Sequence, residues 1–306
     1  MRLPTHFSEL WRHINNQNWD DRAFELEKAY VSALFSELTY YRIPDFELES
    51  AERISVIPCH AFQQMAAGSE RVDLEEALIG LDFGQTFFVQ RRFAVAIGVV
   101  TPRVIFVAIR GTKYLYDWAV NFGIQKFKHT SGASFHSGFF RAVHSCVEAV
   151  SEQIYSFVHE MAEPTPIYLT GHSLGGAMAA ILNATWRLRL SGEYLADGNI
   201  GSKAIAPTSC YTFGMPRYGD VTAVTTLRTP FHFYNDEDIV PTVPPTILGY
   251  ETCASEFRLD GRSIENTKSR ELERFGEWMF SLASGQKLEQ HAIELYRSRI
   301  GELIGV

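Results

Sequence analysis

No stretch of the 306 residues approaches the ~18 consecutive apolar residues of a membrane span. Residues 1–10 also lack the apolar core of a secretory signal. Together these absences give the expectation of a cytoplasmic protein, secreted only if a leader has been removed. Cysteine is scarce: Cys59, Cys146, Cys210 and Cys253 are scattered, with no C-x-x-C pair. That pattern reads as reduced thiols and argues against structural zinc. No long basic run offsets the formal net charge of -8, which argues against a nucleic-acid role. No repeat, low-complexity tract or Gly/Ser/Pro-rich linker divides the chain, so one domain spanning 1–306 is the economical reading.

What is present centres on one stretch, Pro166-Ile167-Tyr168-Leu169-Thr170-Gly171-His172-Ser173-Leu174-Gly175-Gly176-Ala177. It reads as a buried strand, a sharp turn carrying a serine, and a helix opening on small residues. Gly171, Ser173 and Gly175 form G-x-S-x-G, in which glycines two residues either side let strand and helix approach without a Cβ collision. With Gly and Ser each near ~7% of residues, chance alone gives roughly 0.1 such matches in a chain this long. The pentapeptide is therefore suggestive, and its strand-then-helix context carries the weight.

Around that stretch the chain reads as follows. Apolar spacing predicts a helix over 22–38, closed by Pro44, and a second short helix over 47–55. Residues 1–66 thus form a helical preamble. Residues 86–90, 93–100 and 103–109 are rich in β-branched and aromatic side chains and read as strands. A long amphipathic helix carries Phe139, Val143, Val147, Val150, Ile154, Phe157, Val158 and Met161 on one face. The strand 166–170 follows, then a helix from Leu174, a strand over 209–213, a helix near 220–227 and a strand over 231–234. The tail from about Glu265 reads as helical. Strands alternating with helices over 103–238 predict an α/β fold with a mainly parallel central sheet flanked by helices.

A serine hydroxyl is a poor nucleophile at neutral pH; it needs a histidine to take its proton and a carboxylate to hold that imidazole. On α/β-hydrolase sheets the partners follow in the order Ser, Asp/Glu, His. Only His232 and His291 lie beyond Ser173. His232 falls inside a strand and would point into a sheet face, which leaves His291 as the base. The acid then belongs on the turn after strand 231–234. Asp238 fits, with Asp236 and Glu237 as rivals. Charge on the reacting carbonyl oxygen also needs preformed donors. One is the backbone N–H of Leu174; the other belongs to the loop where Gly111 and Thr112 end strand 103–109.

Taken together these residues resemble the class 3 lipases, an α/β-hydrolase family that includes fungal triacylglycerol lipases and many bacterial and plant homologues. Val107-Ala108-Ile109-Arg110-Gly111-Thr112 resembles the family's oxyanion-loop motif, and Asp117-Trp118 and His136-Ser137-Gly138-Phe139 its next landmarks. The heptad Gly171–Ala177 is similar to its nucleophile elbow, and Thr212-Phe213-Gly214-Met215-Pro216-Arg217-Tyr218-Gly219-Asp220 to the segment before the acid strand. Asp238-Ile239-Val240-Pro241 resembles the acid motif, and His291 with Tyr296 the terminal histidine motif. The resemblance covers about residues 80–300, the catalytic core, and finds no landmark in 247–288.

It implies a catalytic triad of Ser173, Asp238 and His291, with Thr112 and Leu174 as the oxyanion hole. It implies no metal and no organic cofactor. The substrate implied is a lipid or small ester, most directly an acylglycerol, with transient contact at a lipid interface. Short-chain carboxylesterase and phospholipase A1 activities are the alternatives, as is a catalytically silent lipid-binding protein on the same fold. In this family a flap follows the oxyanion loop. Here Tyr114, Leu115, Trp118 and Phe122 give that stretch one apolar face, as a lid over the acyl pocket or as a helix packed on the sheet edge. Residues 275–280 are a second apolar stretch, read as core.

Overall fold

Alternation of side chains across each strand decides how this chain is layered. The computed structural model describes residues 10–40, 53–57, 85–91, 94–111, 123–158, 165–186, 188–189, 193–194, 200–201, 204–259 and 289–306. In chain order, helices α1 (Leu10–Asn16) and α2 (Leu26–Leu38) precede strands β1 (Arg53–Ile57), β2 (Gln85–Arg91), β3 (Ala94–Val100) and β4 (Ile105–Arg110). A small hairpin, β5 (Lys126–Lys128) and β6 (Ser134–His136), leads into helix α3 (Ser137–Val158). Strand β7 (Ile167–His172), helix α4 (Leu174–Thr185) and strand β8 (Ser209–Phe213) follow. Helix α5 (Val221–Thr225), strands β9 (Phe231–Tyr234) and β10 (Glu256–Arg258) and helix α6 (Ile293–Ile304) complete the set that positions the site.

Eight strands form one sheet in the order β1-β2-β3-β4-β7-β8-β9-β10. The first four pair antiparallel. From β4 onward every pairing is parallel. The parallel α/β sheet expected from the alternating pattern is therefore present, extended at one edge by an antiparallel meander. On one face Phe87, Val107, Ile109, Leu169 and Cys210 pack beneath α3 and α4, against Phe139, Val143, Ile154, Met178 and Ile181. On the other, Phe88, Phe106, Tyr168 and Tyr211 pack against Leu34 and Phe35 of α2 and Ile300 of α6. The switch from Val107 to Phe106 across β4 is the period of two expressed as two cores.

The preamble is anchored by polar contacts as well. Lys28, its side chain fully buried, pairs with Asp21 at 2.8 Å and Glu25 at 2.9 Å. The Tyr168 hydroxyl donates to the Asp21 carbonyl at 2.7 Å, and Asp21 in turn accepts from the Ala23 N–H at 2.9 Å. These bonds hold 21–25 out of helical geometry, so α2 begins at Leu26 and not at the expected Arg22. The expected helix over 47–55 is corrected: residues 53–57 are a strand, and the preamble is not wholly helical. Ile54 and Val56 pair opposite Val89 and Phe87 of β2, and sheet pairing of an alternating segment overrides its local helical reading. The helix expected from Leu174 ends at Thr185, and Leu188 lies in a two-residue strand. Met161 and residues 265–288, including 275–280, fall outside the described residues.

Candidate active site

The elbow is built where β7 meets α4. Strand β7 runs through Gly171 and His172, Ser173 makes the turn, and α4 opens at Leu174. Ser173 has φ 57° and ψ -132°, a conformation that L side chains rarely adopt. Such strain persists only where the surroundings over-determine it. Here the Ser173 N–H donates to the Phe213 carbonyl at 2.9 Å, and its carbonyl accepts from Gly176 at 2.9 Å. Close approach explains the glycine at 175. A Cβ there would stand 2.0 Å from the Ile109 carbonyl oxygen and 2.8 Å from the Gly111 nitrogen. Both are main-chain atoms of the sheet and cannot swing aside. Gly175→Ala is expected to cost about 3 kcal/mol, the upper end of usual overpacking costs, read as a lowered urea midpoint; a wild-type midpoint would show that α4 can lift off β4 freely.

The expected base and acid meet beside the elbow. His291 Nδ1 donates to Asp238 Oδ2 at 2.7 Å. The Tyr296 hydroxyl donates to the same oxygen at 2.5 Å, and the Val240 N–H donates to Asp238 Oδ1 at 2.9 Å. Asp238, His291 and Ser173 are all buried. Burial, reinforced by the neighbouring carboxylate, holds the Tyr296 phenol well above its ordinary pKa, so it stays a donor. With Nδ1 committed to Asp238, His291 Nε2 is the free ring nitrogen. Neither it nor Ser173 Oγ has a hydrogen-bond partner among the described residues. In resting sites such bonds are often long and tighten only when substrate arrives. Gly214, at φ 53°, lets the chain pass beneath this cluster: a Cβ there would lie 2.9 Å from both Asp238 Oδ2 and the Tyr296 hydroxyl.

The rivals separate cleanly. Asp236 pairs with Arg258 at 2.7 Å, and Glu237 is exposed. His232 is buried in β9 with Nδ1 against the Thr212 hydroxyl at 3.1 Å, as a strand histidine should be. Gly111 ends β4 against the elbow: a Cβ on it would be 3.3 Å from Ser173 Cβ and 2.9 Å from the His172 carbonyl oxygen. Leu174 is the first residue of α4, where backbone N–H groups have no partner within the helix. Thr112, the expected second oxyanion donor, lies outside the described residues, as do Tyr114, Leu115, Trp118 and Phe122 of the expected lid. The landmark His136 is buried, with Nε2 bonded to the Gly123 carbonyl at 2.8 Å.

Three groups at the site carry roles that reading the residues missed. Tyr296 was visible only as part of a motif, and its bond to Asp238 gives it a function. Asn235 pins the approach to His291 by donating from its amide to the Gln290 carbonyl at 3.0 Å. His172 had no assigned role, yet its Nε2 lies 2.6 Å from the His291 carbonyl oxygen.

The chain is similar to known proteins over much of its length. Residues 106–248 match the profile of the family described as lipase (class 3). The secreted mono- and diacylglycerol lipase 1 of Fusarium solani is 30% identical over 172 residues, covering 53% of this chain and 45% of that protein. A lipase of Rhizomucor miehei is 27% identical over 177 residues, covering 55% of this chain and 45% of the relative. The chain thus spans just under half the length of these curated relatives. Among solved structures, a mutant form of MDLA from Penicillium cyclopium superposes with a TM-score of 0.52 at 15% identity, covering 79% of this chain and 82% of that one. A fungal lipase gives 0.51 at 17% identity, covering 81% and 84%. At that identity the likeness speaks to the fold, which is the α/β-hydrolase fold. The matched segment runs from β4 past the elbow serine and the buried Asp238, and over it the chain is similar to the class 3 lipase family.

Proposed function

We propose that this protein hydrolyses carboxylic esters through an acyl-enzyme formed on Ser173, with acylglycerols as the substrate class. One observation carries the reading: the strained elbow serine follows His172, whose ring centre lies 4.5 Å from that of a buried histidine with its far nitrogen free and its near nitrogen bonded to a buried carboxylate. In the proposed reaction Ser173 Oγ attacks the ester carbonyl as its proton passes to His291 Nε2. Asp238 holds the ring and stabilises the imidazolium that forms. The N–H groups of Leu174 and Thr112 receive the oxyanion. Collapse of the tetrahedral adduct expels the alcohol, which takes its proton from His291. Water, activated by the same imidazole, then releases the carboxylate product and restores the serine.

The acylglycerol assignment draws on the relatives, which are lipases and a mono- and diacylglycerol lipase by name. We assign residues 113–122 to the lid over the acyl pocket. No described helix is long and apolar enough to cross a membrane, so contact with lipid is proposed as transient and interfacial. We read the chain as one domain, because helices from its beginning and its end cover the same face of one sheet. The free, buried thiols of Cys146, Cys210 and Cys253 support a reducing compartment, whereas the Fusarium solani relative is by name secreted. Fractionation of the full-length protein in its own cells separates the two locations.

Rates across ester chain length, below and above each substrate's solubility limit, test the substrate assignment. A jump in rate on emulsion formation is expected for an acylglycerol lipase with a working lid. Saturation below the limit with a preference for short acyl chains would make the protein a carboxylesterase, and release of fatty acid from phospholipid alone would make it a phospholipase A1.

A further inference from the structure

Tyr40 lies just past the C-cap of α2, far from the elbow in sequence. Its N–H donates to the Glu37 carbonyl at 3.0 Å. The helix before it is fixed to the sheet, where Ser36 Oγ meets Thr170 Oγ1 at 2.8 Å and Thr170 Oγ1 donates to the Ser32 carbonyl at 3.0 Å. It is fixed to α6 by Arg297 Nε donating to Glu37 Oε2 at 2.6 Å. From this rigid base the phenol enters the gap between the end of β4 and the elbow. Its oxygen lies 2.9 Å from His172 Nδ1 and 3.5 Å from the His172 carbonyl oxygen, and a Cβ on Gly111 would stand 2.6 Å from it.

The proton positions in this chain are forced. A carbonyl oxygen only accepts, so His172 Nε2, at 2.6 Å from the His291 carbonyl, must carry a hydrogen. Burial and the nearby His291 keep the His172 ring neutral by holding its pKa well below the ordinary value. Its Nδ1 is therefore bare and accepts. Burial likewise keeps the phenol protonated, so Tyr40 is the donor. One bridge results: Tyr40 O–H to His172 Nδ1, and His172 Nε2–H to the main chain of His291.

We propose that Tyr40 is a positioning residue for ester cleavage, its hydroxyl anchoring the His172 ring that pins the main chain of His291. This role rests on the reading of Ser173, His291 and Asp238 as a hydrolytic triad. Without the phenol, His172 Nδ1 is a buried acceptor with no donor, and the ring loses its anchor. The 2.6 Å contact from His172 Nε2 to the His291 carbonyl is then free to lengthen, and the backbone that carries the base shifts. This loss acts on the transition state more than on substrate binding.

The test uses the full-length protein, with Tyr40→Phe, Ser173→Ala and the wild type side by side on p-nitrophenyl butyrate. The wild type should turn over, and Ser173→Ala should not. Tyr40→Phe should lower kcat roughly 10- to 100-fold with KM within about twofold, as expected when a base is misplaced. Nitrogen-15 spectra of the His172 ring should show hydrogen on Nε2 alone in the wild type and, in the variant, a displaced Nδ1 resonance as that nitrogen loses its donor. In a His172→Gln background the effect of Tyr40→Phe should shrink, because the two act as a unit. Wild-type turnover with an unchanged kcat in Tyr40→Phe would overturn the role of Tyr40 while leaving the triad standing. A wild-type protein without ester turnover would overturn the triad reading instead. The wild-type spectrum decides even if the variant fails to fold, since hydrogen on His172 Nδ1 would refute the proposed bridge.

Discussion

Ser173→Ala is expected to lower kcat on a p-nitrophenyl ester on the order of 10⁴-fold or more while the protein keeps its fold. The size of the loss follows from how the three residues act. Without the hydroxyl there is no acyl-enzyme, and His291 and Asp238 have no proton to manage. What remains is positioning and oxyanion stabilisation, which alone give modest acceleration over water. Asp238→Asn should approach the same loss by another route. An amide in that place leaves the His291 tautomer wrong, with hydrogen on Nε2 facing the nucleophile. The fold should survive Ser173→Ala, since the hydroxyl has no hydrogen-bond partner among the described residues and the elbow is held by main-chain bonds. A melting temperature near wild type with activity gone is the expected pair of results. Retained turnover in the purified variant contradicts the assignment.

The second large effect is on stability in acid. His136, His172 and His232 are buried, and burial is the first cause that depresses each pKa: to about 4 for His136, to about 3 for His232, and well below the ordinary value for His172. In the unfolded chain each titrates near ~6.5. Between those limits the unfolded state binds more protons, so stability rises with pH and is lost as pH falls below about 6.5. Glu256 works against this. Burial pushes its carboxyl up to about 7, so from about 4.5 to about 7 the folded state holds one extra proton there. The three histidines outweigh the one carboxyl, so stability falls as pH drops between roughly pH 6 and pH 4.5. Urea midpoints measured across that window should fall steeply with pH. A flat profile would mean that the buried histidines are solvated or already charged in the folded protein.

Much of the site was legible because its chemistry is local or ordered. The elbow announces itself through the glycines flanking Ser173, and the order rule left His291 as the base because His232 reads as a strand residue. The residues alone did not separate Asp238 from Asp236 and Glu237; the family resemblance favoured it. The structure shows the physical difference. Asp238 is buried with three donors on its carboxylate, whereas Asp236 faces Arg258 at the surface. What stayed hidden depends on pairing between distant segments. Residues 53–57 became a strand only by pairing with β2, some thirty residues on. Tyr40 and His172 are brought together across 132 residues by the packing of α2 on β7. No local pattern marks a tyrosine at a helix end as part of a catalytic centre. Tyr296 was closer to visible, since it shares a motif with His291, but its bond to Asp238 requires the folded α6.

The nucleophilicity of Ser173 is measured most directly by reaction of the full-length protein with a fluorophosphonate, followed by peptide mapping. One phosphonyl group per chain is expected, on Ser173 Oγ, absent in Ser173→Ala and formed far more slowly in Asp238→Asn. A folded, ester-hydrolysing protein that carries the label on another residue, or carries none, would contradict that nucleophilic role.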